Sequence, residues 1–160
     1  MNSMATITGS IEIECPVDQV FDLVADQRNE PKYNPELLRS TKLTSGPIAV
    51  GTQFAATHKS RRRPVEMVIE VTDYERPRHL GSRTTMRGAD IRGSLRFEPV
   101  GNRTRLRWTW EVRPHRLGWL LGPVVGAVGS RKERACWTGL KQYLEHHRPR
   151  TDALGERRGS

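Results

Sequence analysis

Three features of the sequence predict an α+β fold: a curved antiparallel β-sheet, two short helices after its first strand, and a long C-terminal helix. An alternating strand near the N-terminus runs without a linker into a short helical pattern. From Leu37 to Val112, apolar alternation recurs in short segments joined by turn residues, and consecutive hairpins without a helical crossover make an antiparallel sheet. Residues from Leu117 to about His146 then read as one helix, which must cover that sheet.

In IEIECPVDQVFDLVADQRNEPKYNP, from Ile11 to Pro35, Ile11 and Ile13 share one strand face while Glu12 and Glu14 take the other. The period then changes. Pro16 suits a first helical position, where its missing N–H would be unpaired anyway, and Val17, Val20, Phe21 and Val24 recur at helical spacing. Asn29, Pro31, Asn34 and Pro35 restrict continuation, so a broken turn carrying Tyr33 is expected after Asp26. So short a helical pair needs a curved surface to lie against.

The strands follow. Leu37 to Thr44 is ended by Ser45, Gly46 and Pro47; Thr52 to Lys59 places Phe54, Ala56 and His58 on one face. Val65, Met67, Ile69 and Val71 alternate with Glu66, Val68, Glu70 and Thr72 until ERPRH turns the chain. Leu80 to Met86 continues the sheet. Ile91, Gly93, Leu95 and Phe97 alternate with charged and polar neighbours up to a hairpin turn at Pro99, Gly101 and Asn102. Beyond it Leu106, Trp108, Trp110 and Val112 face inward.

In the last helix, Leu121, Val124, Val125, Val128, Ala135, Gly139 and Gln142 drift around one broad inner face, while Arg131, Lys132, Glu133 and Lys141 mark solvent. Gly118, Gly122, Gly126, Gly129 and Pro123 weaken its first half, which predicts a kink or late start there. Two roles fit that segment: small residues for close packing, or a mobile lip over a pocket. Its apolar run of about a dozen residues is too short for a bilayer, which needs about 20.

At 160 residues the chain is expected to form one domain over residues 1–147. RPRTDALGERRGS after His147 is expected to be a disordered basic tail over residues 148–160. MNSMATITGS lacks the pattern of a signal peptide, so a cytoplasmic protein is expected. Cys15 and Cys136 have no metal-ligand spacing and are expected to be buried free thiols; no metal or cofactor is expected. The net charge of +9 draws attention to RRR at Arg61 to Arg63 and RKER at Arg131 to Arg134. The triplet falls at an expected hairpin tip and no aromatic residues interleave with it, which disfavours nucleic acid.

The order of these elements resembles the helix-grip fold of the START-like (SRPBCC) superfamily, specifically its polyketide cyclase/dehydrase-like group. The resemblance spans roughly Ile7 to Glu145. It rests on CPVDQVFDLVADQRNEPKYNP, GTQF at Gly51 to Phe54, VTDYERPRHLG from Val71 to Gly81, FEPVGNRTRLRWTWEV from Phe97 to Val112, and LKQYLE. It implies a curved sheet wrapped around the long helix and an internal cavity for an apolar or amphipathic ligand. The short helices would close one side, with Tyr33 at the rim, where many relatives place tryptophan.

Such a cavity would receive Phe54, Met67, Ile69, Met86, Leu95, Phe97, Trp108 and Trp110 from the strands, and Leu121, Val124 and Val128 from the helix. Tyr33, His58 and the Thr84 hydroxyl would supply polar contacts; Asp90 and Glu66 are expected in solvent. No nucleophile and base form a recognisable motif, so no catalytic residue is assigned; His58 and Tyr33 are the candidates for moving a proton. Three functions stay open. The first is binding of a hydrophobic or amphipathic small molecule of lipid, polyketide or aromatic type. The second is a polyketide cyclase/dehydratase-like enzyme. The third is a basic module for RNA, anionic lipid or a protein, with contact at a membrane surface left open.

Overall fold

The computed structural model describes residues 4–60, 63–115 and 122–147. Its seven strands are β1 (Ala5–Ile13), β2 (Leu37–Lys42), β3 (Gln53–His58), β4 (Val65–Glu75), β5 (His79–Met86), β6 (Ala89–Val100) and β7 (Arg103–Pro114). Between β1 and β2 lie α1 (Val17–Ala25) and a 3-10 helix (Gln27–Lys32); α2 (Gly122–His146) follows β7. The strands form one antiparallel sheet in the order β1-β7-β6-β5-β4-β3-β2. Only the first strand leaves sequence order, because it crosses to pair with the last.

The first strand begins at Ala5 instead of Ile11. Ile7, Gly9 and Ile11 continue the inward row ending at Ile13, and pairing with β7 runs from Ala5 opposite Val112 to Ile13 opposite Thr104. Thr6, Thr8 and Ser10 fill the outward row. Their polarity hid this half of the strand from an apolar count. Likewise β4 runs on to Glu75, past a register shift between Val71 and Asp73. That irregularity re-aims Tyr74 inward, against Phe21 of α1, at a ring separation of 5.4 Å.

α1 buries Val20, Phe21, Val24 and Ala25, and Phe21 also meets Phe97 edge-on at 5.0 Å. Pro31 lies inside the 3-10 helix, which ends at Tyr33. There the backbone N–H groups of Tyr33 and Asn34 both donate to the Glu30 carbonyl. The two-residue turns Arg87-Gly88 and Gly101-Asn102 each use a glycine at positive φ, 97° and 60°, where a side chain would be strained.

α2 buries Cys136, Trp137 and Leu140, with Tyr143 and Leu144 half-buried beside them. The expected inner face is therefore corrected: Ala135 and Gln142 are exposed. A stripe projected from the glycine-rich first half arrives about one residue out of phase with the one that packs. From Gly122 the glycine-rich segment expected as a lip belongs to α2, while residues 116–121 and the basic tail lie outside the described residues.

Candidate functional site

Between the sheet and α2 lies a cavity of about 640 Å³. That volume falls within the usual range for small-molecule sites. The sheet contributes Ile7, Met67, Ile69, Ser82, Thr84, Met86, Ile91, Leu95, Trp110 and Val112; the 3-10 segment contributes Gln27, Glu30, Tyr33 and Asn34; α2 contributes Lys132, Glu133, Cys136 and Trp137. His58, Lys59 and Ser60 stand where β3 ends. Alternation explains the sheet contribution, since Ser82, Thr84 and Met86 are successive inward positions of β5. Lys59, Ser60 and Lys132 are exposed and mark the solvent side.

One end of the cavity is polar. The Glu133 Oε2 accepts the indole N–H of Trp110 at 2.8 Å and that of Trp137 at 3.1 Å. Burial raises Glu133, and the Glu30 carboxyl facing it raises it further, against the lowering effect of both indoles; the outcome is about 7. Glu30 is raised by its own burial, partly offset by the Asn34 amide, which donates to its Oε1 at 2.8 Å, and by attraction to His58. Burial, reinforced by Glu30, also pushes the Tyr33 phenol and the Cys136 thiol upward, so both hold their protons. The Gln27 Oε1 is buried without a hydrogen-bond partner among the described residues.

Two glycines position the tryptophans. Gly93 lies opposite Trp110 and Gly9 opposite Trp108 in the register, and a Cβ at either would overlap the facing indole. The Trp110 ring therefore lies across β6 and brings its N–H to Glu133. Trp108 is pressed between Gly9 and Trp137, whose ring centre is 5.6 Å away.

Of the residues expected to bind ligand, Tyr33, His58, Met67, Ile69, Thr84, Met86, Leu95 and Trp110 do line this cavity. Phe54, Phe97 and Trp108 do not. They are 0%, 2% and 4% exposed and are spent on the packed core with α1, β1 and α2, because the cavity occupies only part of the inward face. Tyr33 is not at an open rim but is 6% exposed, its carbonyl packed against Gly139 of α2. Leu121 lies outside the described residues, as do the side chains of Val124 and Val128. The expectation missed Gln27, Glu30, Asn34, Cys136 and Trp137, and it placed Glu133 in solvent. Trp137 and Leu140, at helical spacing from Glu133, were the available signal. Among the described residues no cluster of three or more His, Cys, Asp or Glu can hold a metal ion, and no helix is long and apolar enough to cross a membrane. Cys15 and Cys136 are both buried, and no disulfide joins them.

A family model described as polyketide cyclase/dehydrase and lipid transport matches residues 4–145. The chain belongs to that family. In this START-like group the seven-stranded sheet closing around α2 is the helix-grip fold, and solved structures share it. The Zhui aromatase/cyclase from Streptomyces sp. R1128 superposes with a TM-score of 0.77 at 16% identity, over 90% of this chain and 95% of its own. A START superfamily protein from Mycobacterium smegmatis gives 0.77 at 14% identity, over 88% and 97%. A Thermus thermophilus protein gives 0.76 at 16% identity, also over 88% and 97%. At such identities the likeness is one of fold. No curated protein matches this chain in sequence.

Proposed function

We propose that this family member binds a hydrophobic or amphipathic small molecule, of lipid, polyketide or aromatic type, between the sheet and α2. The observation that carries the reading is the cavity of about 640 Å³, walled by methionine, isoleucine and tryptophan with polar groups gathered at one end. Apolar walls supply affinity and a few fixed polar groups supply orientation. Native mass spectrometry of freshly purified protein should show a trapped small molecule. Adding such ligands back to stripped protein should change tryptophan emission, because Trp110 and Trp137 both line the space. Protein that carries nothing and responds to no ligand, in emission or in thermal stability, would overturn the reading.

A second reading, cyclase or dehydratase chemistry on a keto-bearing precursor, is favoured by one observation. Glu133 exchanges its proton near neutrality within the cavity, as a general acid or base requires. Tyr33 holds its proton too firmly to serve as a base, which leaves His58, Glu30 and Glu133 as the cavity groups to test as proton carriers. A parent protein that leaves a poly-β-keto mimic unchanged would exclude this chemistry, and turnover that survives both Glu133→Gln and His58→Ala would exclude these two groups as its proton carriers.

A further inference from the structure

At the polar end of the cavity the carboxyls of Glu30 and Glu133 and the amide of Gln27 keep acceptor oxygens to which no hydrogen bond is made among the described residues. Glu133 receives two indole N–H groups, both on Oε2, and its Oε1 has no partner among the described residues. Glu30 receives one amide N–H on Oε1. Gln27 presents a buried carbonyl oxygen that receives nothing from the described residues. A buried acceptor without a donor is uncommon in folded proteins, and the Gln27 oxygen lies on the wall of a space sized for a ligand.

The charges are arranged in the same sense. Among the described lining residues the inner carboxyls are Glu30 and Glu133, and neither forms an ion pair with a lysine or arginine of the described chain. The cations Lys59 and Lys132 are exposed on the solvent side. His58, facing Glu30 from β3, is a cation only when protonated. Tyr33 and Cys136 meet the pair as neutral groups. The rings of Tyr33, Trp110 and Trp137 complete the surroundings, and aromatic faces attract cations.

We propose, resting on the cavity reading above, that the cavity selects amphipathic amines: an apolar or aromatic body along the sheet, with a protonated nitrogen donating to Glu30, Glu133 and Gln27. A primary ammonium has three N–H donors and no acceptor, which matches three acceptors short of donors. A carboxylate in the same place would be repelled by whichever of the two carboxyls is ionised. A neutral alcohol would satisfy one acceptor and leave the carboxyls facing each other.

Binding of the ammonium favours the ionised carboxyls, so the complex releases a proton when it forms near neutrality. Since Glu133 titrates at about 7, its ionised fraction rises about tenfold from pH 6 to pH 8, and amine affinity should rise by up to about that factor. His58 lies near Glu30, and His58→Gln isolates the contribution of Glu133.

The test is calorimetric titration with three probes of one shape: 2-naphthylmethylammonium, 2-naphthylmethanol and 2-naphthoate, repeated with the decyl amine, alcohol and acid. The expected result is an amine at least tenfold tighter than its alcohol, with the acid weakest. Binding should tighten between pH 6 and pH 8 for the amine alone, and still do so in His58→Gln. Glu133→Gln and Glu30→Gln, each checked for an unchanged fold by circular dichroism, should each weaken the amine at least tenfold and change the alcohol less than threefold. An alcohol or acid that binds as tightly as the amine overturns the assignment of class and leaves the cavity reading standing. If no probe of either body binds, and native mass spectrometry finds no trapped molecule, both readings fall.

Discussion

Glu133 combines a buried carboxyl, two indole donors and a second carboxyl facing it, so its protonation affects stability as well as binding. In the unfolded chain it ionises near 4.5 and in the folded protein near 7. Between those values the folded state holds the extra proton, so this residue's contribution is fully present below 4.5, declines as pH rises, and levels off above 7. The loss amounts to up to about 3 kcal/mol. Glu133→Gln keeps an acceptor for the indoles and removes the titration. Relative to the parent it should therefore gain stability from pH 4.5 to pH 8, and urea unfolding of both proteins at the two pH values measures the difference. A constant difference would mean that the carboxyl is solvated. In the sequence Glu133 is marked only by its helical spacing from Trp137 and Leu140. It stands in RKER, among charges that belong to solvent, and only the distance to Trp110 and Trp137 reveals where its side chain goes.

At the scale of elements, the strands were legible because a sheet buried on one face writes its orientation into every second residue. Met67, Ile69 and Val71 faced inward as expected, and so did Leu80, Leu95, Leu106 and Trp110. What alternation does not encode is which inward residues fill the core and which border a hollow. Phe54, Phe97 and Trp108 share the pattern of Met67 and Trp110, and only the placement of α1 and α2 divides them. The helix contact depends on a single small residue. Gly139 of α2 lies so close to the Tyr33 carbonyl that a Cβ would overlap it, and a backbone oxygen, unlike a side chain, has no alternative rotamer. Gly139→Ala must push α2 away from the 3-10 segment. A cost of about 1–3 kcal/mol is expected in chemical unfolding, together with weaker ligand binding, because Tyr33, Glu30 and Glu133 face one another across that contact. A variant as stable as the parent would show that the two segments separate freely.

For the molecule as a whole, its positive charge and its hollow pull toward different functions. On the outer face of the sheet Arg105 pairs with Glu12, Arg107 with Glu98 and Arg39 with Glu66, so part of the arginine content is spent in exposed ion pairs of small individual value. The hollow is the feature that a fold selected for stability alone would have filled. Thr84 sits on β5, the fourth strand of seven, buried at 8% exposure with its side chain on the cavity wall. Thr84→Phe would place a ring in the empty space and leaves Glu30, Glu133 and both indoles unsubstituted. The added ring buries apolar area and removes a hydroxyl from an apolar wall, so the variant should melt a few degrees higher than the parent. It should also lose trapped small molecule and bind added ligand at least tenfold more weakly, the opposition expected where a cavity is kept for use. Thermal melts and native mass spectrometry on the same preparation read both effects. Full binding by a variant that melts normally would place the ligand somewhere other than against β5.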